Sequence, residues 1–119
     1  MRTLIAVLSL LLLASSAVTD ASAHAFLDHA SPLVGSTVRT PPHEVSLTFT
    51  QKLEPAFSSI AVFDSGGARV DQGKAQISAN TMRIRLKALG PGSYRVRWHA
   101  LSVDTHTTEG DFTFYVGNP

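Results

Sequence analysis

The chain has 119 residues, with 10 Lys and Arg against 9 Asp and Glu, a formal net charge of +1 and no cysteine. This near-neutral balance gives no electrostatic basis for binding nucleic acid or an anionic membrane. Without cysteine the protein has neither disulfides nor thiolate metal sites, so a bound metal must be held by nitrogen and oxygen atoms.

The first residues have the pattern of a secretory signal peptide. Met1 and Arg2 give a charged start, an apolar run covers residues 4–14, and small residues end in Ala21-Ser22-Ala23. A membrane anchor is the alternative, but a run of about 11 residues is well short of the roughly 20 that span a bilayer. We therefore expect residues 1–23 to be a cleaved signal peptide, the mature chain 24–119 to form one exported domain, and no membrane insertion after cleavage.

Beyond the signal peptide, apolar residues alternate with period two and turn residues recur at short intervals, which predicts strands rather than helices. The predicted strands cover residues 25–29, 44–50, 59–63, a return strand from Val70, 82–86, 94–100 and a last strand through 112–116, with a loop from Ser31-Pro32 to Pro41-Pro42. Such a series is typical of an all-β, Greek-key antiparallel sandwich or barrel. Leu89–Tyr94 also resembles the tyrosine corner of immunoglobulin-like domains, in which the hydroxyl bonds to upstream backbone.

His24 is the most informative of the five histidines, because cleavage after Ala23 makes it the first residue. An amino-terminal histidine offers its α-amine and its ring Nδ1 to the same ion. The amine titrates near pH 8 (about 7.7–8.0) and must lose its proton to coordinate, so affinity should rise with pH. In the uncleaved chain the same nitrogen belongs to a peptide bond and cannot chelate.

Asp104-Thr105-His106 is the second candidate element, between two predicted strands. If this stretch is extended, residues two apart point to the same side and bring a carboxylate and an imidazole together. Two nitrogens of His24, one of His106 and an oxygen of Asp104 would form the tetragonal set that suits Cu(II), and zinc could use the same atoms in a tetrahedron. Alternatively, the stretch is a polar connection that faces water.

These residues give the chain a resemblance to the CopC family of periplasmic copper-binding proteins. The resemblance is carried by His24, by Phe49-Thr50 and Glu54–Ser58, and above all by the run from Trp98 through Asp104-Thr105-His106 to Gly110–Phe114. It implies a cupredoxin-like or immunoglobulin-like barrel of about seven strands, with a Cu(II) site made by His24, Asp104 and His106.

The chain departs from the family pattern at two points. Some members carry a glutamate in the copper site where this chain has Gln51, and Glu54 is a weaker substitute for it. Other members have a methionine-rich Cu(I) site, whereas here only Met82 remains after cleavage, on a predicted core face. One thioether cannot form such a soft site, so the resemblance is to the members that bind Cu(II) alone.

The remaining histidines are expected to lie outside the ligand set. His99 alternates with two arginines and is expected to face solvent or to support a ligand, while His43 is expected in an exposed loop. His29 is near His24 in sequence and could form a hydrogen bond close to the site. Trp98, Phe112 and Phe114 are expected in the core.

The resulting hypothesis is a non-enzymatic protein that binds one Cu(II) per mature chain and carries, buffers or sequesters copper in copper homeostasis or resistance. An inner-membrane copper transporter is one partner that such a role would allow. Two alternatives stay open at this point. A histidine-brace enzyme resembling lytic polysaccharide monooxygenases would use similar ligands, although the Asp104 carboxylate favours Cu(II) and should hinder redox cycling. A metal-free immunoglobulin-like interaction domain is the other.

Overall fold

The computed structural model describes residues 25–118, so the predicted signal peptide and His24 lie outside the described residues. The elements of the described chain are β1 (Leu27–Ser31), β2 (Thr37–Val38), β3 (Glu44–Phe49), a 3-10 turn (Pro55–Phe57), β4 (Ser59–Asp64), β5 (Asp71–Ser78), β6 (Thr81–Leu86), β7 (Gly92–Leu101) and β8 (Thr107–Val116). Within residues 25–118 there is no helix of the length and apolarity needed to cross a membrane.

The strands form two four-stranded sheets, ordered β1-β3-β6-β5 and β2-β8-β7-β4. Neighbouring strands run antiparallel, except that β2 and β8 are parallel. The predicted all-β sandwich is therefore confirmed, with β2 as an addition to the seven expected strands. This strand lies inside the predicted loop 31–42, and a segment of two residues is too short to show an alternating pattern.

The core lies between the two sheets and consists of the apolar residues that alternate along the strands. On β3, for example, Val45, Leu47 and Phe49 are buried while the residues between them are more exposed. Trp98 on β7 meets Phe49 on the facing sheet edge to face, with 5.1 Å between ring centroids. Met82 is fully buried, which confirms its predicted place in the core.

The start of β7 forms the predicted tyrosine corner. Tyr94 donates a hydrogen bond of 2.6 Å from its hydroxyl to the carbonyl oxygen of Gly90. Its ring stacks on Phe114 of β8, with 5.5 Å between ring centroids. The corner therefore fixes the chain as it enters the long β7–β8 hairpin, whose far end carries the candidate site.

Three segments meet at that far end of the sandwich. The β7–β8 connection, residues 102–106, contacts the segment after β3, since Val103 N donates to Lys52 O at 3.0 Å and Leu53 pairs with Ser102. The segment after β3 in turn holds the start of the described chain, because Thr50 N donates to Phe26 O at 2.9 Å. The fold thus places the beginning of the described chain, residues 50–54 and the Asp104–His106 connection together.

Candidate metal site

The connection between β7 and β8 is a tight turn. Ser102 N donates to His106 O at 3.0 Å, and Thr105 N donates to Ser102 O at 2.9 Å. Thr105 has a φ of 73°, in the left-handed region that residues with a branched Cβ seldom adopt. Residues 104–106 are therefore not extended, and the condition under which the sequence would bring Asp104 and His106 to one side is not met.

The turn nevertheless brings the two predicted ligands of this loop together. Asp104 Oδ1 lies 3.4 Å from His106 Nδ1 and 3.4 Å from the backbone nitrogen of His106. Both side chains keep access to solvent, with exposed fractions of 40% for Asp104 and 47% for His106. A carboxylate and an imidazole thus stand side by side at the surface, where an incoming ion could reach both.

The surroundings of Asp104 favour its ionised form. A hydrogen bond from the Ser102 hydroxyl, supported by the backbone N–H and the imidazole of His106, holds the pKa of the Asp104 carboxyl below its usual value. Hydrogen bonds to a carboxylate stabilise its charged form. The carboxyl is consequently anionic at neutral pH, which is the state that binds a metal ion.

The described chain starts beside this loop. Ala25 is fully buried, and its carbonyl accepts a hydrogen bond of 2.6 Å from the hydroxyl of Thr108, two residues beyond His106. Phe26 N donates to Thr50 Oγ1 at 2.9 Å, which fixes the next residue as well. His24 itself lies outside the described residues, so two of the three predicted ligands are seen together. Among residues 25–118 no group of three or more His, Cys, Asp and Glu side chains is placed to hold a metal ion.

Gln51 and Glu54 take different places along the segment that flanks the loop. Gln51 precedes Lys52, whose carbonyl accepts the hydrogen bond from Val103 next to Asp104. Glu54 lies further from the turn, because its backbone nitrogen donates to Leu101 O at 2.8 Å, within β7. The backbone of Gln51 therefore lies nearer to Asp104 than the backbone of Glu54 does.

The other three histidines of the described chain are exposed. His29 pairs with Thr48 on the sheet that contains β1. His43 lies in the bend before β3. His99 faces solvent as expected, and its Nδ1 lies 3.5 Å from Glu109 Oε2 on β8, a cross-strand partner that was not anticipated.

Two contacts of the site were missed by sequence reasoning. The sequence assigned no role to Ser102, and the structure shows that this buried residue directs its hydroxyl at Asp104. Thr108 gave no signal, because its partner Ala25 is 83 residues away along the chain. The Thr108 contact depends on tertiary structure, whereas the Ser102 contact is local and depends on the conformation of the turn.

Comparison with known proteins identifies relatives over nearly the whole described chain. A family model described as the CopC domain matches residues 27–117. Over 112 residues the chain is 33% identical to copper resistance protein C of Xanthomonas campestris pv. juglandis, with 87% of each chain covered. It is 31% identical over 113 residues to protein YobA of Escherichia coli strain K12, with 91% of each covered.

A longer relative and a solved structure extend the comparison. The chain is 34% identical over 99 residues to copper transport protein CutJ of Bacillus subtilis strain 168; the match covers 80% of this chain but spans only 18% of that protein's length. The crystal structure of CopC from Methylosinus trichosporium OB3b is similar with a TM-score of 0.74 and 36% identity, covering 80% of this chain and 95% of the other.

Proposed function

The chain belongs to the CopC domain family, and from this premise we propose that it is an exported copper-binding protein that holds one Cu(II) ion through His24, Asp104 and His106. The observation that carries the proposal is the pairing of Asp104 with His106 in a loop next to which the described chain begins. In this role copper is the protein's cargo, and the proposed activity is binding rather than catalysis.

The third ligand is supported by the way the chain starts. Consecutive Cα atoms are about 3.8 Å apart, so residue 24 is held within one peptide unit of Ala25. Ala25 is bonded to Thr108, which follows His106 by two residues on β8. Cleavage after Ala23 would give His24 a free α-amine at this position, and amine and ring would then act as a chelating pair.

The donor set supports Cu(II) as the ion. An amine, two imidazoles and a carboxylate form the mixed nitrogen and oxygen set that suits tetragonal Cu(II), and the Irving–Williams order places Cu(II) above zinc for such a site. Soft donors that would favour Cu(I) are lacking in the described part of the chain, because there is no cysteine and Met82 is buried in the core. A carrier restricted to Cu(II) follows from this chemistry.

The biological role is proposed from the relatives. Two of them carry names that refer to copper transport and copper resistance. We extend those roles to this chain as carriage, buffering or sequestration of copper in the periplasm after removal of residues 1–23. We propose an inner-membrane copper transporter as the partner for transfer. The reason is that the copper transport protein CutJ contains a segment similar to this chain within a much longer polypeptide.

Competition titration of the mature protein with Cu(II) tests the proposal. We expect one tightly bound Cu(II) per chain and a large loss of affinity in His24→Ala and in His106→Ala. His43→Ala is the matched control, because that histidine is exposed and lies away from the loop. Full affinity in His24→Ala would overturn the proposed ligand set, and reductant-dependent oxidation of a polysaccharide would favour the enzyme alternative.

A further inference from the structure

Ser102 occupies an unusual place in the turn that carries the proposed ligands. Its side chain is fully buried, and Ser102 and Ser58 are the two polar residues buried within the described chain. Its backbone nitrogen donates to His106 O, and its carbonyl accepts from Thr105 N. The serine is therefore fixed at both backbone groups and closes the turn that contains Asp104 and His106.

The hydroxyl of Ser102 points at the carboxylate of Asp104. Its oxygen lies within hydrogen-bond distance of Asp104 Oδ1 and 3.2 Å from His106 O. A hydroxyl has a single proton to donate, and an ionised carboxylate is a stronger acceptor than a carbonyl. Asp104 Oδ1 is thus engaged by the serine, and Oδ2 is the second carboxylate oxygen, which this hydroxyl does not hold.

We propose that Ser102 is the positioning residue of the metal site: its buried hydroxyl holds Asp104 so that Oδ1 is tied to the protein and Oδ2 faces the ion. This inference rests on the proposed function. Thr105, between the two ligands, has an unfavourable left-handed backbone that persists only where surrounding contacts enforce it. The hydrogen bonds of Ser102 supply such contacts from the rigid end of β7.

The physical consequence of this arrangement is preorganisation. An exposed aspartate in a turn samples several rotamers, and binding must then order it at a cost in entropy. A side chain already oriented by a buried donor avoids much of that cost, and removal of such outer contacts lowers metal affinity by about 10–100-fold. Ser102 would therefore affect copper binding without contacting the ion.

The test compares Ser102→Ala with Ser58→Ala in the mature protein. Ser58 is a matched control, since it is also buried and its hydroxyl bonds to the backbone of Leu101, not to a proposed ligand. Competition titration should show a loss of Cu(II) affinity of about 10–100-fold in Ser102→Ala alone. The electron paramagnetic resonance spectrum of bound Cu(II) should change in the same variant, which a loss of stability alone would not cause.

A second pair of variants guards against a folding defect in Ser102→Ala. Ser102→Thr and Ser102→Val have side chains of similar shape and differ in the hydroxyl. The threonine variant should bind Cu(II) at least about ten-fold more tightly than the valine variant, in line with the cost of losing an outer-shell contact. Equal affinities within this pair, or equal affinities and spectra for Ser102→Ala and Ser58→Ala, would overturn the proposal.

Hydrogen exchange of the metal-free protein separates this inference from the proposed function. The backbone amides of Thr105 and His106 should exchange faster in Ser102→Ala than in Ser58→Ala, because the turn loses its internal contact. If the wild-type protein binds no Cu(II), the proposed function fails while this difference still supports the positioning role. Unchanged exchange at both amides would overturn the positioning role even if copper binds.

Discussion

The hydroxyl of Thr108 donates a 2.6 Å hydrogen bond to the carbonyl of Ala25, joining the start of the described chain to the strand that follows the metal loop. Thr108→Val keeps the shape of the side chain but removes this donor. We expect Cu(II) affinity to fall by about five-fold, because one hydrogen bond contributes about 1 kcal/mol to the position of the amino-terminal ligand.

Thr107→Val is the matched control for this effect. Thr107 is the neighbouring residue on β8, and it is exposed. Titration of both variants with Cu(II) should show the loss in Thr108→Val alone. An equal affinity for the two variants would mean that this tether does not position His24.

Gly110 is expected to be required by its neighbour Trp98. The two residues are cross-strand partners on β7 and β8, and a Cβ at position 110 would lie 2.8 Å from the Cζ2 atom of the indole. Trp98 packs against Phe49 and cannot move without disturbing the core. Gly110→Ala should therefore lower the free energy of unfolding by about 1–3 kcal/mol.

Denaturant unfolding measures this change, with Gly90→Ala as its control. A Cβ at position 90 would meet no atom within 4 Å, and the carbonyl that accepts from Tyr94 is retained. The control should stay within about 0.5 kcal/mol of the wild type, as for ordinary surface substitutions. A Gly110→Ala protein with the same free energy of unfolding as the wild type would contradict the close packing of Trp98 against Gly110.

The tyrosine corner is expected to contribute to stability through a single hydroxyl. Tyr94→Phe removes the hydrogen bond to Gly90 O while keeping the buried ring on Phe114. We expect a loss of about 1–2 kcal/mol, since the carbonyl is left without its donor. Tyr115→Phe makes the same chemical change at a residue that is 44% exposed, and its melting temperature should not change.

Asp71 is expected to make stability depend on pH. Partial burial alone would raise the pKa of this carboxyl, but hydrogen bonds from Arg69 and from the backbone N–H of Val62 outweigh that effect and hold the pKa below its usual value. A lowered pKa in the folded state stabilises the protein above the unfolded value of about 3.9, and the stabilisation is lost as pH falls through the folded value.

Thermal unfolding of Asp71→Asn at two pH values checks this expectation. At neutral pH the variant should lose about 1.5–3 kcal/mol, the contribution of hydrogen bonds to a charged group. The difference from wild type should shrink as the pH falls through the folded pKa, because the wild-type carboxyl then becomes protonated too. Asp111→Asn, at an exposed position on β8, serves as the control. A difference that stays constant with pH would contradict the role of the Asp71 charge.

Most of the sandwich could be predicted because its strands are buried on one face. Val45, Leu47 and Phe49 alternate with polar residues, and a shift of one residue would expose them all, so the pattern fixes both the strand and its inward face. The tyrosine corner was also predictable, because its residues are neighbours in sequence. By contrast, β2 has only two residues, and its pairing with β8 depends on contacts distant in the chain.

The proximity of Asp104 and His106 was predictable from the sequence, but the geometry that produces it was not. Asp104 and His106 were identified from their types and spacing, yet they are brought together by a turn with Thr105 in a left-handed conformation rather than by an extended strand. Nothing in the local pattern indicates that a threonine adopts this conformation. The turn is closed by backbone hydrogen bonds between Ser102 and the residues Thr105 and His106, at the end of the paired strands β7 and β8.

The central claim is that cleavage after Ala23 creates a ligand by freeing the α-amine of His24. Its most direct test is competition titration of two proteins that both begin at His24, one with a free α-amine and one with that amine acetylated. The account predicts one tightly bound Cu(II) for the first, with affinity that rises with pH, and an affinity lower by several orders of magnitude for the second, because its histidine nitrogen is part of an amide and cannot act as an amine ligand. Equal affinity in the two proteins would contradict it.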